Sequence, residues 1–174
     1  MTDSPAGARF TVSVLDSAFI DIILGSLAEA DSSQIDVTTG DISTFLSGDL
    51  QDVLHYVRDV TAGAARGGVH ISVALSLVGD PVGATAPTLE PTGVRGPGAL
   101  EPACDRRRGS RRRLARSHGT YSGDDPHVTR LDGDLAAVLE TVACGWLLTG
   151  RDDSWPATHV TIAINSPSAI ADDA

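Results

Sequence analysis

SGDLQDVLHYV at residues 47–57 returns 85 positions later as DGDLAAVLETV at residues 132–142. In each copy an Asp stands directly before an apolar run at helical spacing, Leu50, Val53, Leu54 and Val57 in the first. A short carboxylate there satisfies first-turn N–H groups, so both stretches read as capped helix starts. Two identical starts at a fixed offset indicate a duplicated unit.

Working outward from the first copy, Gly67 and Gly68 end its helix and residues 69–78, VHISVALSLV, alternate as a strand. Upstream, residues 34–39 and 42–47 form two short strands across a Thr39-Gly40-Asp41 turn. Before them, Phe19, Ile20, Ile23, Leu24 and Leu27 make one apolar helical face with Asp16 or Ser17 as N-cap, and RFTVSVL at residues 9–15 is a first strand. The order β-α-β-β-α-β over residues 8–80 is a ferredoxin-like unit, an α+β fold with an antiparallel sheet and both helices on one face. Its other sheet face needs cover from a repeat, a subunit or a ligand.

The second copy continues to THVTIAI at residues 158–164, which matches VHISVAL at residues 69–75 after a loop lengthened around residues 151–156. Upstream of its helix nothing resembles the first strand and helix. We therefore expect tandem repeats, the second, residues 118–168, lacking those two elements. Residues 81–117 are rich in Pro, Gly and Arg, without an apolar period, and read as a linker that is disordered or frameshifted. In a GC-rich gene, residues 99–102, ALEP, read one base out of frame give Arg-Trp-Ser-Leu, close to the opening of the first strand. This points to a compensated frameshift over roughly residues 95–117.

The net charge is −10, yet eight of the thirteen basic residues, all Arg, lie between Arg95 and Arg116. The remainder is strongly acidic, a field that favours cations and opposes nucleic acid. Arginines at residues 106–116 have no interleaved aromatics to stack bases, so nucleic-acid binding is not expected. Cys104 and Cys144 form no C-x-x-C pair. No apolar run suits a membrane span, and acidic Asp3 precedes no signal-like segment, so we expect a cytoplasmic protein without membrane insertion. Nucleophile-elbow, P-loop and dinucleotide motifs are missing, which argues against an enzyme.

ARF at residues 8–10, FIDIILGSL at 19–27, TTGDISTFLSGDLQDV at 38–53, VTRLDGDL at 128–135 and INSPSA at 164–169 together resemble the YkoF family of thiamine- and hydroxymethylpyrimidine-binding proteins. The resemblance implies a homodimer of tandem ferredoxin-like repeats and a non-catalytic role in uptake or salvage of thiamine precursor. It implies no cofactor beyond the thiamine or pyrimidine ligand itself. Where the family has Tyr-Pro after the first strand, this chain has Ser13-Val14. The alternative is a degenerate paralogue acting as a dimeric assembly module without ligand.

An aminopyrimidine needs a paired acceptor and donor and a flat apolar wall. Asp41 is the candidate acceptor or counter-charge, Ser43 and Thr44 offer hydroxyls, and Thr38 and Thr39 stand at the rim. Phe10 is the candidate wall and Arg9 the donor to a hydroxyl or phosphate. The 85-residue offset gives Thr129 and Arg130 as counterparts in the second copy, with an Arg130–Asp132 ion pair as the structural reading of that stretch. His70 and His159 occupy matching strand positions without companion ligands, and are read as structural; no metal is expected. These residues predict one competent site per chain.

Overall fold

The computed structural model describes residues 6–101, 108–125, 128–150 and 157–167. In the first half, β1 (Ala6–Val14), α1 (Phe19–Glu29), β2 (Ile35–Thr39), β3 (Thr44–Gly48), α2 (Leu50–Ala65) and β4 (Ile71–Val78) follow the expected order. Asp49 caps α2 by accepting from the Gln51 N–H at 2.8 Å, as the repeated Asp predicts. Gly68 ends the segment with φ +71°, a left-handed conformation that suits glycine. α1 begins two residues later than the capping pattern suggests, with the Asp16 carboxylate accepting the Ala18 N–H at 2.8 Å.

The second half corrects the expectation of a missing strand and helix. β5 (Gly98–Glu101) and α3 (Arg108–Ser117) stand where they were thought lost, before β6 (Tyr121–Asp125), β7 (Val128–Leu131), α4 (Leu135–Thr149) and β8 (Thr158–Ile164). The half is partial in extent, since β5 has 4 residues against 9 in β1. α3 escapes an apolar-period search because polar contacts help hold it. Arg112 Nε lies 2.8 Å from the Asp124 carboxylate, and the Arg116 guanidinium sits 4.4 Å from the Tyr121 ring centroid.

All eight strands join one antiparallel sheet in the order β2-β3-β1-β4-β8-β5-β7-β6, the halves meeting where β4 pairs β8. One face carries Phe10, Leu46, Val73, Leu75, Val160, Ile162, Leu100 and Leu131 into a single core with α2 and α4. Alternation alone produces this one-sided burial: β4 reads buried, half-buried along its whole length. On α1 the expected apolar face is divided. Phe19, Ile20 and Leu24 are exposed, whereas buried Ser26 faces Gly63 of α2, where small residues let the helices approach.

Residues 81–97 are an ordered strap across α2 and α4, not the free linker their composition suggests. Gln51 holds the Thr88 backbone in both directions, accepting its N–H at 2.8 Å and donating to its carbonyl at 2.5 Å. Glu140 accepts the Leu89 N–H at 2.6 Å, and Leu89 itself is buried. Asp134, the N-cap of α4, accepts from Ala136, Thr92 and Gly93 N–H groups at 2.8, 3.1 and 2.7 Å.

Asp134 thus joins helix and strap, with a consequence for pH. Burial alone would raise its carboxyl, but the hydrogen bonds from Ala136, Thr92 and Gly93 outweigh it and hold the pKa below the ordinary 3.8. A depressed carboxylate stabilises the fold above its unfolded value and loses that contribution as pH falls through its folded one. Asp134→Asn should therefore cost about 1–2 kcal/mol at pH 7, read from urea unfolding, with the difference shrinking toward pH 2. Equal differences at both pH values would show that the carboxylate charge is immaterial.

Candidate functional site

Strand alternation sorts the candidate residues between two faces. Across β3 and β1, Thr44 pairs with Phe10 and Phe45 with Arg9; across β2 and β3, Thr39 pairs with Thr44 and Thr38 with Phe45. Since Phe10 and Thr44 are buried beneath the helices, Thr38, Phe45 and Arg9 lie together on the opposite, open face. The turn places Asp41 exposed beside this face, closed by a Gly40 N–H to Ser43 carbonyl bond of 3.1 Å.

The local geometry is specific. Arg9 Nη1 donates to Ser43 Oγ at 2.8 Å, and its guanidinium carbon is 5.8 Å from the Phe45 ring centroid. Thr11 Oγ1 donates to the Ile42 carbonyl at 3.1 Å, fastening the turn to β1. An aromatic ring, a fixed cationic donor and a hydroxyl are thereby gathered at one end of the first half, with exposed Asp41 in the adjoining turn.

Phe10 is not the flat wall. It is 2% exposed and meets Tyr56 edge-on, with centroids 6.2 Å apart and planes at 79°. Thr44 also faces inward, its hydroxyl 3.3 Å from that of Thr39, so neither hydroxyl is presented on the open face. Phe45 is the aromatic that composition-led reading missed. Its signal was parity: Leu46 must share the core face with Phe10, so Phe45 must share the other with Arg9.

In the second half, the register Leu100 to Thr129 repeats that of Phe10 to Thr44, and Ala99 to Arg130 repeats Arg9 to Phe45. Thr129 is accordingly buried. Arg130 is exposed and pairs with Asp125 at 3.6 Å, while Asp132 pairs with Arg95, which corrects the expected Arg130–Asp132 pair. With Ala in the place of Arg9 and Arg in the place of Phe45, the chemistry of the first half is not reproduced. His159, on the open face, bonds through Nδ1 to Ser76 Oγ at 2.9 Å, and the His70 carbonyl accepts the Leu15 N–H. Among the described residues no cluster of three His, Cys, Asp or Glu could hold a metal, and no helix is long and apolar enough to cross a membrane.

Clefts of about 200, 300 and 570 Å³ lie elsewhere, between α1 and α2, beside Asn165 at the end of β8, and around Arg95, Tyr121 and Asp132. The candidate site is therefore a surface, not one of these hollows. The hairpin, the capped α2 and the enclosing β1 and β4 all fall in one segment, and residues 5–81 match the YKOF-related family. That segment is a YKOF-related family domain. No curated protein matches the chain. The YKOF-related domain ends just after β4, so Arg9, Thr38, Asp41, Ser43 and Phe45 all belong to it, whereas β5 to β8 lie beyond the matched residues.

Proposed function

We propose that the YKOF-related domain binds thiamine or hydroxymethylpyrimidine on its open sheet face and releases it unchanged, serving uptake or salvage of thiamine precursor. The observation that carries this reading is the Arg9, Ser43 and Phe45 constellation, a donor held beside an aromatic face at the end of a hairpin. An aminopyrimidine can stack on Phe45, take a hydrogen bond from Arg9 at a ring nitrogen or hydroxyl, and donate its amino group to Asp41. Arg9 opposes a nearby thiazolium cation, so the pyrimidine end belongs beside Arg9. The thiazolium of intact thiamine then points toward Asp41 and solvent, where the net charge of −10 favours it.

Isothermal titration with each compound tests this reading. A micromolar dissociation constant corresponds to about −8 kcal/mol, and absence of heat from both compounds at millimolar concentration would sink the proposal. Phe45→Ala should weaken binding about tenfold, near the upper range of an aromatic contact, with little change in stability because the ring lies outside the core.

A second reading, an assembly module without ligand, draws on the flatness of the site and the position of the clefts elsewhere. It predicts oligomers indifferent to either compound.

A further inference from the structure

α1 carries more apolar surface than the fold uses. Its inner side packs on α2, where Ile22 is half-buried and Ser26 lies against Gly63. On its outer side Ile20, Ile23, Leu24 and Leu27 stand at i, i+3, i+4 and i+7, one continuous stripe along the helix. Ile20 and Leu24 are 56% and 59% exposed, Ile23 and Leu27 are half-buried, and exposed Phe19 flanks them. Single apolar residues on a surface are ordinary, but a stripe at this spacing is the pattern by which one helix receives another.

Charge and size select what fits the stripe. Between Arg9 and Arg58 the sequence has no Lys or Arg. Asp16, Asp21, Glu29 and Asp31 are all exposed on or beside α1, and Arg66, the cation that reaches this edge, is held by Glu29 at 2.6 Å. A second copy would set these carboxylates against their own kind, and an anionic lipid surface would be repelled in the same way. The 11 residues of α1 span about 16 Å, so with a width of ~10 Å the stripe offers roughly 160 Å². A stable dimer buries about 800 Å² per partner, whereas this strip has the length and width of one short helix. Asp21 and Gly25, next in sequence to Ile20 and Leu24, line a cleft of about 200 Å³ between α1 and α2, with Gly63 on the α2 side. The small residues leave room there for a long cationic side chain to lie beside Asp21.

We propose that α1 is the docking face for a cationic amphipathic helix of a partner protein. The partner's apolar residues lie on Ile20, Ile23, Leu24 and Leu27, and a Lys or Arg of its flank meets Asp21 at the cleft. The face belongs to the helix layer, on the side of the sheet away from Arg9 and Phe45, so docking and ligand binding do not compete for surface. Docking on α1 depends on the stripe and its carboxylates alone, whatever the open face binds.

Fluorescence anisotropy of the full chain with a labelled synthetic peptide of about 14 residues, leucines at i, i+3, i+4 and i+7 and lysines elsewhere, tests the docking. The expected result is micromolar binding, at least about tenfold weaker for the same peptide with glutamates in place of lysines. Leu24→Asp and Asp21→Lys should each weaken the lysine peptide about tenfold, with melting by circular dichroism little changed because both side chains are exposed. Glu90→Lys, the same change of charge at an exposed position of the strap, should leave binding within about twofold. No binding at about 1 mM peptide, equal affinity for the two peptides, or Leu24→Asp without effect overturns the proposal. Equal losses from Asp21→Lys and Glu90→Lys overturn it too, by showing attraction to the overall negative charge alone. Self-association in light scattering that Leu24→Asp abolishes makes a second copy the occupant, and co-sedimentation with phosphatidylglycerol vesicles that Leu24→Asp abolishes makes it a membrane. Either result overturns the partner helix.

Discussion

Phe10→Ala should destabilise the protein by about 3–5 kcal/mol, while leaving the ligand affinity of the folded protein within about twofold. Phe10 is 2% exposed, and its removal opens a hole beneath β1 beside Tyr56. The Tyr56 hydroxyl is already pushed toward higher pKa by burial, so the surroundings are apolar and poorly suited to water. Denaturant unfolding gives the energetic loss, and titration at low temperature gives the affinity. A large affinity loss with unchanged stability would return Phe10 to the site and displace Phe45 from it. The two phenylalanines thus make a paired experiment, because opposite faces of one sheet separate folding from binding.

Trp146→Ala is expected to cost a similar ~3–5 kcal/mol, and the entire chain should feel it. Trp146 on α4 is wholly buried, the largest side chain in the fully buried set. Its core is continuous with that of the first half through the β4–β8 pair and the contact of α2 with α4. One transition should therefore shift, by roughly 2–4 °C per kcal/mol for a chain of this size. Scanning calorimetry that resolved two transitions, with only one moved, would show the halves to be energetically separate. A loss under about 1 kcal/mol would mean that the second half contributes little folding energy.

Much of the first half was legible because local signals agreed. Asp49 capping, the Gly68 stop, the hairpin turn and the period of β4 each specify the same unit, and local contacts realise them. The second half was legible from the strand that carries Thr129 and Arg130 onward, but not before its hairpin. β5 is four residues long, too short to show a strand period, and α3 is rich in arginine, so neither announces itself by apolar spacing. Both form because tertiary partners supply what the segments lack: β8 and β7 flank β5, and Asp124 and Tyr121 receive α3. The strap over residues 81–97 is a similar case, its backbone N–H groups met by Gln51, Glu140 and Asp134 from distant helices.

Of the site, the sequence by itself determined the neighbourhood: the hairpin around Asp41, with Arg9, Thr38 and Ser43. It could not choose between Phe10 and Phe45. Side-chain facing has a period of two, so the choice turns on pairing register, and register is fixed only when β1, β3 and β4 meet. The duplication too was written in the two Asp-capped helices, the first of which lies inside residues 5–81, the part that matches the YKOF-related family. Only the tertiary structure decided that the halves share one sheet, that α3 and β5 exist, and that Arg9 and Phe45 meet on one open face. Each of these depends on partners far apart in the chain, whose free energy appears only when the strands are brought together.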